Sequence, residues 1–137
     1  MKIQKVYIAA SSKNHILAQQ TDNDISVLCK NYQVISDWYT RMSFCTTAEY
    51  YQAVAKLDID QLDKSDLLIV LNPPMETECG GGKHIETGYA LSKNKRIITV
   101  GKRTTVFHYL PQIEHVCWGG LMEYLLKKDS GNGQSKS

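Results

Sequence analysis

Apolar residues recur along this chain in two rhythms. Val6-Tyr7-Ile8-Ala9-Ala10 is a short apolar run, and Leu67-Leu68-Ile69-Val70-Leu71 places five apolar residues in a row behind Asp66. Runs without polar alternation predict strands covered on both faces, the second of them mid-sheet. Tyr32-Gln33-Val34-Ile35-Ser36, Arg96-Ile97-Ile98-Thr99-Val100 and the stretch from Glu114 to Cys117 predict the second, fourth and fifth strands. Between them the spacing turns helical: from about His15 to Lys30, from Thr46 to Leu62, after Gly82, and from Gly120 to Lys127. In the second helix Ala48, Tyr51, Ala55, Ile59 and Leu62 make one apolar stripe, which Asp58 and Asp60 interrupt. Ser11-Ser12-Lys13-Asn14 and Asn72-Pro73-Pro74 punctuate the pattern, since cap-forming residues and prolines end strands. Strands alternating with helices about five times predict a single-domain, doubly wound α/β sandwich with a mainly parallel sheet of about five strands. That domain spans 1–128, and the polar, Gly/Ser-rich stretch 129–137 is expected to be a disordered tail. Ligands of such folds bind beyond the carboxyl ends of the strands, where strand order reverses. Tyr7 through Lys13, Trp38, the loop from Pro73 to Gly82 and Glu86 all fall at that edge.

Composition narrows the function without choosing it. The chain has 137 residues, 42% of them hydrophobic, which suits one domain with a real core. Its 16 basic and 14 acidic residues leave a net charge of +2, which gives no electrostatic case for a nucleic-acid polymer as partner. No apolar run approaches the roughly 20 residues that span a bilayer, and Met1-Lys2-Ile3-Gln4-Lys5 leads into a strand rather than a signal peptide. The expectation is a cytoplasmic protein with no membrane contact. Cys29, Cys45, Cys79 and Cys117 show no CxxC spacing, and His15, His84, His108 and His115 form no HxxxH or HExxH pair. No metal or cofactor is expected on that basis. His84 and His108 are the two histidines with a candidate substrate-binding role, against a surface role as the alternative.

The stretch with most chemistry is Cys79-Gly80-Gly81-Gly82-Lys83-His84-Ile85-Glu86-Thr87-Gly88-Tyr89-Ala90-Leu91. Three glycines before a helical pattern predict a backbone-exposing turn that opens a helix. Glu86 then falls in the first or second turn, where amide groups and the positive end of the helix dipole would favour its ionised form. It reads either as a helix cap or as a nucleophile beside a glycine-lined cavity. Ser11 and Ser12 read as N-caps, or with Lys13 as a phosphate receiver at a strand-to-helix turn. Trp38 could stack on a planar base or roof the core.

Three features together resemble the nucleoside 2-deoxyribosyltransferase family, including its branch that hydrolyses 2'-deoxynucleoside 5'-monophosphates. They are Tyr7 near the start of the first strand, Asp58-Ile59-Asp60-Gln61-Leu62 ahead of Asp66, and Gly82-Lys83-His84-Ile85-Glu86-Thr87-Gly88-Tyr89-Ala90-Leu91. The resemblance implies a flavodoxin-like or Rossmann-like fold and cleavage of an N-glycosidic bond by double displacement. Glu86 would attack the anomeric carbon, and Tyr7 would position that carboxylate. Asp58, held partly buried in its loop and so protonated near neutral pH, would protonate the departing base. Asp66 reads as a structural cap. Where the transferases carry an acid for the sugar hydroxyls, this chain has Gly80. Where the hydrolases place a serine and a basic residue, it has Ser11 and Lys13, and the amides of Gly80, Gly81 and Gly82 could complete an anion cradle. The substrate would be a nucleoside or nucleotide. Family members form homodimers or larger homo-oligomers with shared pockets, which makes Phe107-His108-Tyr109 the candidate for a neighbour's contribution, or else core packing. The competing readings are a nucleotide-binding module without turnover and, more weakly, a flavodoxin-like cofactor carrier.

Overall fold

The computed structural model of the protein describes residues 2–41, 43–76 and 81–134, with side chains as far as residue 128. Five strands form one sheet: β1 (Gln4–Ala9), β2 (Tyr32–Val34), β3 (Leu67–Asn72), β4 (Arg96–Gly101) and β5 (Ile113–Val116). Their order is β2-β1-β3-β4-β5 and every pairing is parallel. Four helices cover the two faces: α1 (His15–Leu28), α2 (Ala48–Lys64), α3 (Gly82–Ser92) and α4 (Leu121–Gln134). This is the doubly wound α/β fold that the alternating pattern implies, with a sheet parallel throughout.

The unbroken apolar runs explain themselves once each strand is split by parity. Val6 and Ile8 of β1 pack with Leu67, Ile69 and Leu71 of β3 against α1 and α4. Tyr7 and Ala9 pack with Leu68 and Val70 in a second cluster that includes Leu62 of α2 and Ala90 of α3. Both faces of each central strand are therefore core, and all six residues of β3 are buried. The same parity sends the Tyr7 side chain to the α2/α3 face.

The chain leaves β1 for β2 on one side and returns to place β3 on the other, so strand order reverses between β1 and β3. At the carboxyl end of β1, strand β2 stops earlier than the expected Ser36 because side chains take over its ladder. Ser36 Oγ accepts from the Ile8 N–H at 3.0 Å, and Trp38 Nε1 donates to the Ile8 carbonyl at 2.7 Å. The chain thus peels away from β1 at the switch point and leaves room there.

Other boundaries move by a residue or two, as helix and strand ends do. β3 begins at Leu67, because Asp66 instead ties the opposite end of the sheet: its N–H donates to the Lys5 carbonyl and its carboxylate accepts from the Lys5 N–H. That is the structural role expected of it. β5 starts at Ile113 rather than Glu114, and α1 ends at Leu28 rather than Lys30. The backbone of α4 continues past Lys127 to Gln134, into the segment expected to be a tail. Gly101 ends β4 at a φ of 97°, where an added Cβ would lie 2.1 Å from the Asn72 carbonyl oxygen. Only glycine lets β4 close on Asn72 in this way.

Candidate active site

A cavity of about 210 Å³ opens at the switch point. Ala10, Ser11 and Ser12 line it from the turn after β1, and Trp38 from the turn after β2. Asp58 enters from α2, while Gly82, Lys83 and Glu86 enter from α3. A cleft of about 200 Å³ lies on the opposite face, between α1 and α4, but Asp24 is the one ionisable residue among those lining it. Of these two, the switch-point cavity is where ionisable groups converge.

At its floor the Tyr7 hydroxyl donates to Glu86 Oε2 at 2.6 Å, joining residues 79 positions apart. Burial moves Glu86 opposite to the expectation from helix position. Glu86 is not in the first turn of α3, and loss of hydration raises its pKa to about 7. The Tyr7 hydrogen bond opposes that rise, and the Asp58 charge adds to it. Desolvation outweighs the helix dipole because the dipole weakens beyond the first turn whereas burial acts on the carboxyl itself. Tyr7 is pushed well above the ordinary phenol range by burial and by the Glu86 charge, so it stays a donor.

Asp58 is carried by α2, not by a loop, and its carboxyl is only partly buried. Burial raises its pKa, while a bond from Arg41 Nη2 to Oδ1 at 2.9 Å opposes the rise and the charge of Asp37 adds to it. Arg41 also donates from Nε to Asp37 Oδ1 at 3.0 Å. Asp37 feels burial upward, but bonds from Gln61 and Arg41 outweigh it and lower its pKa.

Lys83 is the second basic residue at the site, and its ammonium is wholly buried. Nζ donates to the Leu71 carbonyl at 3.1 Å, to Asn72 Oδ1 at 2.6 Å and to Glu76 Oε2 at 2.5 Å. All three of its protons are thereby placed. Asn14 Nδ2 holds the other oxygen of Glu76 at 2.7 Å. The clamp joins the turn after β1, the end of β3 and the start of α3.

The other expected residues divide. Ser11 is buried and makes no capping bond, although it is the N-cap of the short 3-10 helix Ser12–Asn14. Lys13 is exposed and is not among the residues lining the cavity. Trp38 packs against the core and also lines the cavity. A Cβ added at Gly81 or Gly82 would meet nothing within 4 Å, so the start of α3 faces open space. Gly80 lies outside the described residues. His84 and His108 are not at the Glu86 cavity: their rings sit 6.2 Å apart and line a separate, apolar cavity of about 390 Å³ with Thr87, Leu91 and Phe107. His108 is buried there, which agrees with packing for that residue, whereas Phe107 and Tyr109 are exposed.

Sequence reasoning passed over Arg41 and Lys83. For Lys83 a signal existed, because positions 83, 87 and 90 share one face of α3 and all are buried. For Arg41 none did, since its partner on α2 is 17 residues away.

The chain is similar to the CMP N-glycosidase BcmB of Clostridium botulinum, with a TM-score of 0.59 and 21% identity over 92% of this chain and 98% of that one. It is similar also to a conserved protein from Enterococcus faecalis V583, with a TM-score of 0.56 and 16% identity over 92% and 87% of the two chains. The likeness is one of fold. No family model matches the sequence, and no curated protein matches it. Among the described residues no helix is long and apolar enough to cross a membrane.

Proposed function

We propose that this protein cleaves the N-glycosidic bond of a nucleoside or nucleoside 5'-monophosphate through a covalent glycosyl-Glu86 intermediate. The observation that carries the reading is the Tyr7 hydroxyl bonded to Glu86 at the floor of a cavity that Asp58 also lines. Glu86 Oε attacks the anomeric carbon as the bond to the base breaks. Asp58 supplies the proton that the departing base takes up, and water or an acceptor base then releases the sugar. The roles are supported by the Tyr7 bond, which favours an ionised Glu86, and by the partial burial of Asp58, which favours its proton although Arg41 opposes it.

A monophosphate substrate is supported by Ser11, Ser12 and the open amide end of α3 at Gly82. The fold neighbour, a CMP N-glycosidase, supports hydrolysis over exchange. Incubation with deoxynucleosides and their monophosphates, with and without an acceptor base, tests the reading. Free sugar phosphate is the expected product; nucleotide bound tightly but never turned over would overturn it.

The electrostatics set a pH dependence. A nucleophile works ionised, so kcat/KM should fall as pH drops through about 7, where Glu86 takes up its proton. Tyr7→Phe removes the bond that favours the ionised carboxylate, so Glu86 should hold its proton to higher pH. The acidic limb is expected to move up, with kcat/KM reduced by about 10- to 100-fold, the kinetic equivalent of one hydrogen bond to a charged group. A pH–rate profile of the variant checks this, and an unmoved limb counts against the pairing.

A homo-oligomer, at least a dimer, belongs to the same proposal. Ile85 on α3 and Val106, Phe107 and Tyr109 on the turn before β5 are apolar and 61% or more exposed. Sedimentation equilibrium should give at least twice the chain mass, and Phe107→Asp should lower it; a monomer at micromolar concentration would exclude the pairing.

A further inference from the structure

Arg41 belongs to none of the motifs read from the sequence, yet it grips the second acid of the cavity. Its main chain is fixed at both ends: the N–H donates to the Trp38 carbonyl at 3.1 Å, and its own carbonyl accepts from the Tyr50 hydroxyl at 3.2 Å. Its guanidinium spans two carboxylates, Asp37 Oδ1 through Nε and Asp58 Oδ1 through Nη2. Gln61, one turn from Asp58 on α2, also donates to Asp37 Oδ1, at 2.8 Å. Asp58 Oδ1 is therefore committed, while Oδ2 makes no bond to a described residue. A carboxyl oxygen that accepts from a guanidinium is a poor seat for a proton, which leaves the other oxygen to carry it.

We propose that Arg41 is a positioning residue that acts through Asp58, occupying Oδ1 so that the proton destined for the departing base sits on Oδ2. The inference rests on the reading of Asp58 as proton donor. In the step, the electron pair of the bond between the anomeric carbon and the base nitrogen goes to the base, and Glu86 Oε bonds to the carbon. The Oδ2 proton passes to the base, and Asp58 is left a carboxylate whose new charge lies against Arg41. The charged and titratable groups around Asp58 are Arg41 and Asp37 from the segment before α2, Tyr7 from β1 and Glu86 from α3. Burial and Asp37 favour the protonated form and Arg41 opposes them. Without Arg41 the acid should hold its proton more tightly and release it less readily.

The test uses Arg41→Ala, Arg41→Lys and Asp58→Asn in the full chain. Arg41→Ala should lower kcat by about 10- to 100-fold with little change in KM, a fraction of what a general acid contributes. The basic limb of its pH–rate profile should move up, and Arg41→Lys should restore part of the rate. In an Asp58→Asn background, Arg41→Ala should cost almost nothing more, because the two residues act as one unit. Nuclear magnetic resonance titration of the Asp58 carboxyl carbon should show its midpoint rising in Arg41→Ala. An unmoved midpoint, or losses that multiply in the double variant, overturns the inference. Should the wild type turn over no nucleoside or nucleotide, the proposed reaction fails; the Asp58 titration then decides alone whether Arg41 governs that carboxyl.

Discussion

Replacing Glu86 by glutamine is expected to lower turnover by on the order of 10³- to 10⁶-fold, because among the described residues no other carboxylate is bonded to Tyr7 at the cavity floor. The same variant should be more stable than the wild type above neutral pH. The folded-state pKa of Glu86 is about 7 against an ordinary 4.5, so the native protein binds this proton more tightly than the unfolded chain does. That contribution to stability is fully present below about 4.5 and is lost as pH rises through about 7. Glutamine keeps the shape without the charge, so its advantage should be small at pH 5 and reach on the order of 1–3 kcal/mol at pH 8. Urea denaturation at the two pH values measures it. Turnover within tenfold of the wild type would remove the nucleophile from the mechanism, and a stability difference that ignores pH would remove the desolvation argument. The two readouts are independent, so one can fail without the other. Together they would show that a catalytic carboxylate is held at a cost to the fold.

Lys83→Met should be strongly destabilising. The Lys83 ammonium is 0% exposed and its Glu76 partner 6%, so methionine would leave a carboxylate buried with Asn14 as its remaining side-chain donor among the described residues. Stranding one member of a buried pair costs about 3–5 kcal/mol. Removing both charges in Lys83→Met/Glu76→Gln should recover much of that loss, since the penalty comes from the unmatched charge rather than from the missing bond. Chemical denaturation of the wild type and both variants reads this directly. A single-variant loss under about 1 kcal/mol would mean that water reaches Glu76 and that the clamp does not order the segment after β3. The clamp also bears on the site, because it fixes the first turn of α3, from which Gly82 faces the cavity.

The structure corrects the sequence reading most where distant charges meet. A place near the start of a helix favours an ionised Glu86, but burial of the carboxyl reverses the sign even though the Tyr7 bond opposes it. Asp58 was expected to keep a proton through partial burial, yet Arg41 contests it. Lys13 stood out as the cation of the site because it follows a strand and precedes a helix. The lysine among the residues lining the cavity is Lys83, whose wholly buried ammonium is already neutralised by Glu76. His84 and His108 do come together, but around a different and apolar cavity.

What the sequence determined by itself was the architecture and the edge where chemistry could occur. Unbroken apolar runs require cover on both faces, and parallel strands joined through helices gather their carboxyl ends on one rim. Those constraints are local or topological, so periodicity and breakers carry them. Only the tertiary structure decided which side chains face each other across that rim, and hence how each carboxyl is shifted and which cation is spent. Charge states depend on burial and on partners tens of residues away, and neither leaves a periodic trace in the chain.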